Sequence, residues 1–310
     1  MSSRLDAFLF PARTTAWIGW LRIGLGIQVI IYSLSLWQDW SNLFAATNDS
    51  LVNRDLSEAI VSLDSPFIPR LGWLVSAGAR VGLGEDAALR IALVVLLASG
   101  VCLVAGFLSR PAAILAWLIH LAARCSGAFT SYGVDNITTI GLFYLMLCPF
   151  PDCYSLDARL WKSSPPNPQR VGFHQRVLQL HLCLIYFFAG LAKCLGAGWW
   201  NGASIWRALT RPPFNVFSPE FILRWNLLLP IAGIAICLIE FGYPFLIWPR
   251  RTRLVCLLAV NAMHMGIAIA MGLYLFAFVL IVLNLAAFAP DALARRFPRS
   301  RVFATCLPPG

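Results

Sequence analysis

Apolar residues run for about 20 positions at a time, the length that a bilayer's hydrocarbon core demands of a helix. Such windows fall at 16–37, 88–108, 111–129, 134–150, 176–196, 222–248, 253–271 and 272–289. The pattern predicts about eight transmembrane helices. Only Ser109-Arg110-Pro111 separates the second window from the third, and almost nothing beyond Gly272 separates the last two, so both pairs are expected to be tight helical hairpins. Gly24, Gly26, Gly190, Pro230, Gly233 and Pro244 lie inside the windows, where they suit close helix packing and local kinks. Between the first two windows, RLGWLVSAGARVGL (70–83) carries apolar residues at helical spacing flanked by Arg70 and Arg80, which predicts an interfacial helix. WWNGASIWRAL, from Trp199 onward, reads in the same way and is placed to cover the mouth of a cavity.

The composition fits this reading and leaves no room for a large soluble domain. Of 310 residues, 59% are hydrophobic and 12% charged, and the mean hydropathy is +0.73, which indicates an all-α, polytopic integral membrane protein surrounded by lipid. Residues 1–290 form one transmembrane domain, and 291–310 form a basic tail. Trp17 onward is a full-length span, so no cleavable leader is expected. The net charge of +10 would suggest a nucleic-acid partner in a soluble protein, but here the arginines sit in the loops. With the N-terminus inside, Arg110, the Arg159–Arg176 segment, the Arg250, Arg251 and Arg253 triplet and the Arg-rich tail share one face, while the acidic stretch 39–87 and the 197–221 connection take the other. That is the positive-inside pattern of an N-in, C-in bundle, with the one or two interfacial helices on the outer face. No nucleic-acid role follows from it.

The chain has nine cysteines. Cys102, Cys125, Cys183, Cys194, Cys237 and Cys256 lie in apolar segments and read as small buried side chains. The motif CPFPDC (148–153) has neither a second cysteine pair nor a neighbouring histidine, so no metal is expected.

Polar residues inside the spans are the candidates for chemistry, since an ionisable group at membrane depth is costly to keep. Lys193, in YFFAGLAKCLG, is one of two lysines in a chain with 22 arginines. An ammonium can give up its proton in apolar surroundings, whereas a guanidinium does not, so lysine is the cation able to serve as a base. Counted along their helices, Lys193 and His264 fall near the outward ends, and Asp135 and Asn136 open the fourth span. Tyr186 shares the stripe of Lys193 at i, i+3 and i+4 spacing, and Asn261 shares that of His264. Together with Trp199 and Trp200 these residues outline one outer pocket. An inner layer holds Arg22, Glu240 and His181. Lone buried charges are unfavourable, so Arg22 and Glu240 are expected to pair as a structural element. GxSxG, HExxH and a phosphate-cradling loop are all missing, which leaves ordinary hydrolases and nucleotide-driven pumps unsupported.

The ordered set LRIGLG (21–26), SYGVDNITTIGLFYLMLCPFPDCYSLD (131–157), YFFAGLAKCLGAGWWNG (186–202), IEFGYP (239–244) and NAMHMGIAIAMGLYLF (261–276) resembles the HTTM family. This is the membrane region shared by vitamin K-dependent gamma-carboxylases and many bacterial homologues. The resemblance implies a bacterial cytoplasmic-membrane enzyme that uses a reduced quinone of the vitamin K or menaquinol type, with lyase- or monooxygenase-type chemistry. It makes Lys193 the catalytic base that deprotonates the hydroquinone, with His264 in the same site and a peptide or small molecule as substrate at the outer face. Two departures stand out. The large peptide-handling region of the carboxylases has no counterpart in these residues, and Asn136 stands where they carry a histidine. A non-enzymatic maturation, immunity or quinone- or lipid-binding partner is the alternative that the same resemblance allows.

Overall fold

The computed structural model describes residues 2–46, 53–127, 130–162 and 164–296, all of them helix or connecting loop. Eight long helices follow the eight windows: α1 Ala16–Ser35, α2 Glu85–Ala105, α3 Ser109–Ser126, α4 Gly133–Leu147, α5 Pro168–Cys194, α6 Leu228–Leu246, α7 Arg250–Met271 and α8 Tyr274–Arg296. Five of them, α1, α2, α5, α6 and α7, are long and apolar enough to cross a membrane, and α4 and Tyr274–Pro290 of α8 are shorter apolar helices. The third window forms its helix with Arg110, His120 and Arg124 inside it. The basic 291–310 segment lies outside the residues whose side chains are described. The chain divides into two compact units, Ile18–Asn167 and the residues through Trp17 together with those from Pro168 onward.

In the Ile18–Asn167 unit, the expected α2–α3 hairpin turns at Gly106, whose φ of 71° is the left-handed conformation that glycine adopts without strain. Its N–H returns to the Cys102 carbonyl. The N-terminus of α3 is capped from afar, since both Asp157 carboxylate oxygens accept, from Leu108 N–H and Ser109 N–H, each at 2.8 Å. In the 39–87 stretch, the interfacial helix expected at 70–83 forms as Leu71–Ala79, accompanied by Arg54–Asp64. Two of the acidic residues there are structural ties. Glu58 accepts from Ser126 Oγ at 2.6 Å and from Gly72 N–H at 2.9 Å, and Glu85 pairs with Arg54.

Arg22 is fully buried, and its partner is not Glu240. It makes a forked pair with Asp152, Nε to Oδ2 at 2.7 Å and Nη2 to Oδ1 at 3.2 Å, while Nη1 donates to the Leu103 and Val104 carbonyls. Those carbonyls lie in the last turn of α2, where Leu103 also accepts from Gly106 N–H at 3.2 Å, so the guanidinium offsets its own burial and helps to cap a helix. Asp152 belongs to the CPFPDC turn after α4, outside every apolar window. Glu240 pairs elsewhere, so the expected inner pair is corrected on both sides.

In the other unit, α5 and α6 run antiparallel in backbone contact. A Cβ on Gly190 would overlap the backbone at Glu240 and Phe241, so only glycine permits this crossing. In the same register the rings of Tyr186 and Tyr243 lie 4.3 Å apart, tilted by 36°. Helix α8 joins through Ala287, whose carbonyl accepts from both Gln175 and Gln179. The two helices are staggered. Trp248, at the end of α6, lies 4.9 Å from the Arg176 guanidinium, which leaves the first turns of α5 to extend past it. Helix Ser2–Leu9 and the residues after it cover that extension, with Phe8 under Arg176 at 4.4 Å and Phe10 stacked on Phe173 at 5.0 Å.

Candidate functional site

The stagger sets the depth of Lys193. Helix α5 stops at Cys194, next to Gly196, and the chain continues as the short helices Ala197–Trp200 and Ala203–Thr210. These pack along the first half of α6, where Trp199 meets Gly233 and Gly202 meets Leu229 and Pro230. Lys193 therefore lies beside the middle of α6. Its Nζ donates to Glu240 Oε2 at 2.5 Å, and Glu240 follows twelve residues of α6, about 18 Å of rise. Counting from helix ends had separated the two residues into different layers. That count takes neighbouring spans as level with one another, and α5 and α6 are offset along their lengths. The Lys193 side chain is 24% exposed and that of Glu240 is 8% exposed, so the pair is largely withdrawn from solvent and keeps one opening on the lysine side. The Trp199 ring lies 5.3 Å from the ammonium, an arrangement that holds the cation against an aromatic face.

Two turns further along α5, a second polar group forms a directed chain. Tyr243 Oη donates to Asn284 Oδ1 at 2.7 Å, Asn284 Nδ2 donates to Tyr186 Oη at 2.7 Å, and Tyr186 Oη lies 2.7 Å from His264 Nε2. Because Tyr186 already accepts from Asn284, its hydroxyl proton points to Nε2, which places the imidazole proton on Nδ1. His264 is buried, and Nδ1 has no partner among the described residues, as is true of Asn261 Oδ1 one turn earlier on α7. The network thus ends in an unused donor, with an unused acceptor close by. Both groups line the α5–α6 contact, one at Lys193–Glu240 and the other at Tyr186–Tyr243. The two groups make one polar interior surface.

Of the expected site residues, Lys193, Tyr186, His264, Asn261 and Trp199 belong to this surface. Trp200 is exposed, and its Nε1 donates to the Cys194 carbonyl at 2.8 Å, which makes it the cap of α5. Asp135 and Asn136 belong to the Ile18–Asn167 unit. Asp135 is buried and accepts from Tyr132 N–H at 2.9 Å, fixing the start of α4, while Asn136 is exposed. Glu240, Tyr243 and Asn284 were missed as members of the site. Asn284 is the one amide in the apolar run of α8, and that isolation was the signal that could have marked it. Among the described residues no cluster of metal-ligating side chains occurs.

A family model described as HTTM domain matches residues 85–291, which spans α2 to α7 and most of α8. No curated protein and no solved structure matches the chain.

Proposed function

The chain belongs to the HTTM family and is an integral membrane protein, and from that premise we propose that it is a quinone-dependent membrane enzyme in which Lys193 is the catalytic base. The single observation behind this reading is the Lys193–Glu240 contact at 2.5 Å, beside the middle of α6 and under Trp199. A carboxylate this close can take the ammonium proton. In a medium of low dielectric, the charge-separated pair and the neutral pair come close in energy, because desolvation offsets the Coulombic gain. With the proton on Glu240, Lys193 is a free amine that can accept a phenolic proton and then stand as a cation beside the anion it has produced.

A reduced quinone would supply an acidic hydroxyl and, once deprotonated, the electrons for reaction with oxygen. The residues present suit such a group. The unpaired Nδ1–H of His264 and the unpaired Asn261 Oδ1 provide one donor and one acceptor for a ring oxygen and a hydroxyl. The Tyr243–Asn284–Tyr186 chain fixes the His264 tautomer, so the donor is held ready. A lipid-soluble quinone would reach a site between membrane-spanning helices from the bilayer.

The test is consumption of a reduced naphthoquinone by purified protein, with wild type compared against Lys193→Ala and Lys193→Arg. Loss of at least about tenfold in both variants is expected, the lower end of what a positioned general base contributes. Arginine fails as well because it keeps its proton. Unchanged consumption in both variants would refute the base and leave the pair as a structural tie in a binding protein.

A further inference from the structure

Two thiols of the same unit meet at the Lys193–Glu240 pair. Cys194 follows Lys193 and is half-buried, whereas Cys237 lies one turn before Glu240 and is buried, and both are free. The two side chains are near enough to interact. The helix register leads to the same pairing independently. Gly190 lies against Glu240 and Phe241, and Tyr186 lies against Tyr243, so one turn onward along α5 and one turn back along α6 bring Cys194 opposite Cys237. A disulfide needs Cα atoms within about 7 Å, a separation that helices reach only in backbone contact, and the Gly190 crossing is such a contact.

We propose that Cys194 and Cys237 form a redox-active dithiol that reduces an oxidised quinone at the Lys193–Glu240 site. The inference rests on the quinone reading given above. In the step, both S–H bonds break, one S–S bond forms between the sulfurs, and the quinone gains two electrons and two protons, one proton on each ring oxygen. Neither thiol is an effective nucleophile until it loses its proton. Lys193 and Glu240 are the charged groups at hand to carry that proton, and the Lys193 ammonium stabilises the thiolate. Repeated turnover needs a thiol reductant to reopen the disulfide, and a single turnover needs none. The thiol pair would thus produce the reduced quinone where the base consumes it.

The experiment uses full-length protein in detergent, reduced, desalted and mixed anaerobically with 2,3-dimethyl-1,4-naphthoquinone, whose substituted ring carbons discourage stable thiol addition. Diamide serves as a parallel oxidant. Peptide mapping should show a Cys194–Cys237 crosslink with both oxidants, and one equivalent of quinone absorbance should be lost per protein. Cys194→Ser and Cys237→Ser should each abolish both signals, and Cys256→Ser should keep both. No crosslink with either oxidant overturns the pairing. A crosslink with diamide alone overturns the quinone reaction. Hydroquinone consumption by the wild-type protein is scored separately, so crosslinking without consumption counts against the Lys193 base and not against the dithiol.

Discussion

Removal of either partner of the Lys193–Glu240 pair should destabilise the protein unequally, because the cost depends on the charge that is left behind. Breaking a buried ion pair costs about 3–5 kcal/mol when the remaining charge has no compensation. Lys193→Ala leaves Glu240, only 8% exposed, and should cost about 2–4 kcal/mol, near the buried limit. Glu240→Ala leaves an ammonium that is 24% exposed, on a flexible stem that can reach water, and should cost less, about 1–3 kcal/mol. Lys193→Met with Glu240→Leu removes both charges at similar volume and should unfold within about 1 kcal/mol of wild type, because apolar replacements of buried pairs are close to neutral. The assay is equilibrium unfolding of the detergent-solubilised protein in a denaturing detergent, followed by tryptophan fluorescence, with hydroquinone consumption measured on the same preparations. The double variant should be stable and inactive, which separates the structural contribution of the pair from its chemical one. Single effects that simply add, with a coupling below about 0.5 kcal/mol, would show that the pair does not form. A double variant that still consumes hydroquinone would remove Lys193 from the mechanism.

Asp152→Ala should cost about 3–5 kcal/mol, because the Arg22 guanidinium it strands is fully buried and cannot deprotonate, and thermal unfolding would register this as a large fall in midpoint. Asp157→Ala should cost about 1 kcal/mol through loss of the α3 cap, and Asp157→Asn should recover part of that in the same measurement. Gly190→Leu should drive α5 from α6, and the loss of hydroquinone consumption should exceed the loss of folded protein on size exclusion. Equal losses of the two would show that the crossing matters only for folding.

Much of the fold was legible because bilayer length and apolar patterning are strong constraints; the gap at Gly272 marked its turn, and the α2–α3 turn at Gly106 falls three residues before the expected Ser109-Arg110-Pro111, which begins α3. Lys193, Tyr186 and His264 stood out by the same logic, as polar residues retained where they are costly. Depth was not legible. A window count gives the length of a helix but not its offset from its neighbours, and that offset comes from Gly190 and from the short helices that take over where α5 ends. The partner of Arg22 was not legible, because Asp152 approaches from a loop outside every apolar window. The N-terminal contacts went unnoticed because Phe8 and Phe10 gain meaning only against Phe173 and Arg176, far along the chain.

That last contact has a consequence for how the molecule is made. The Phe8 carbonyl accepts from Arg176 Nε across 168 positions, so the Ser2–Leu9 helix completes its unit only after α5 has been synthesised. Synthesis proceeds at roughly 5–20 residues per second, so the segment waits on the order of ten seconds, during which the entire Ile18–Asn167 unit emerges and can pack within itself. The Ser2–Leu9 helix thus acts as a late clasp. A bulky fusion there would act on the base of the helix that carries Lys193, and would slow assembly without touching a residue of the site.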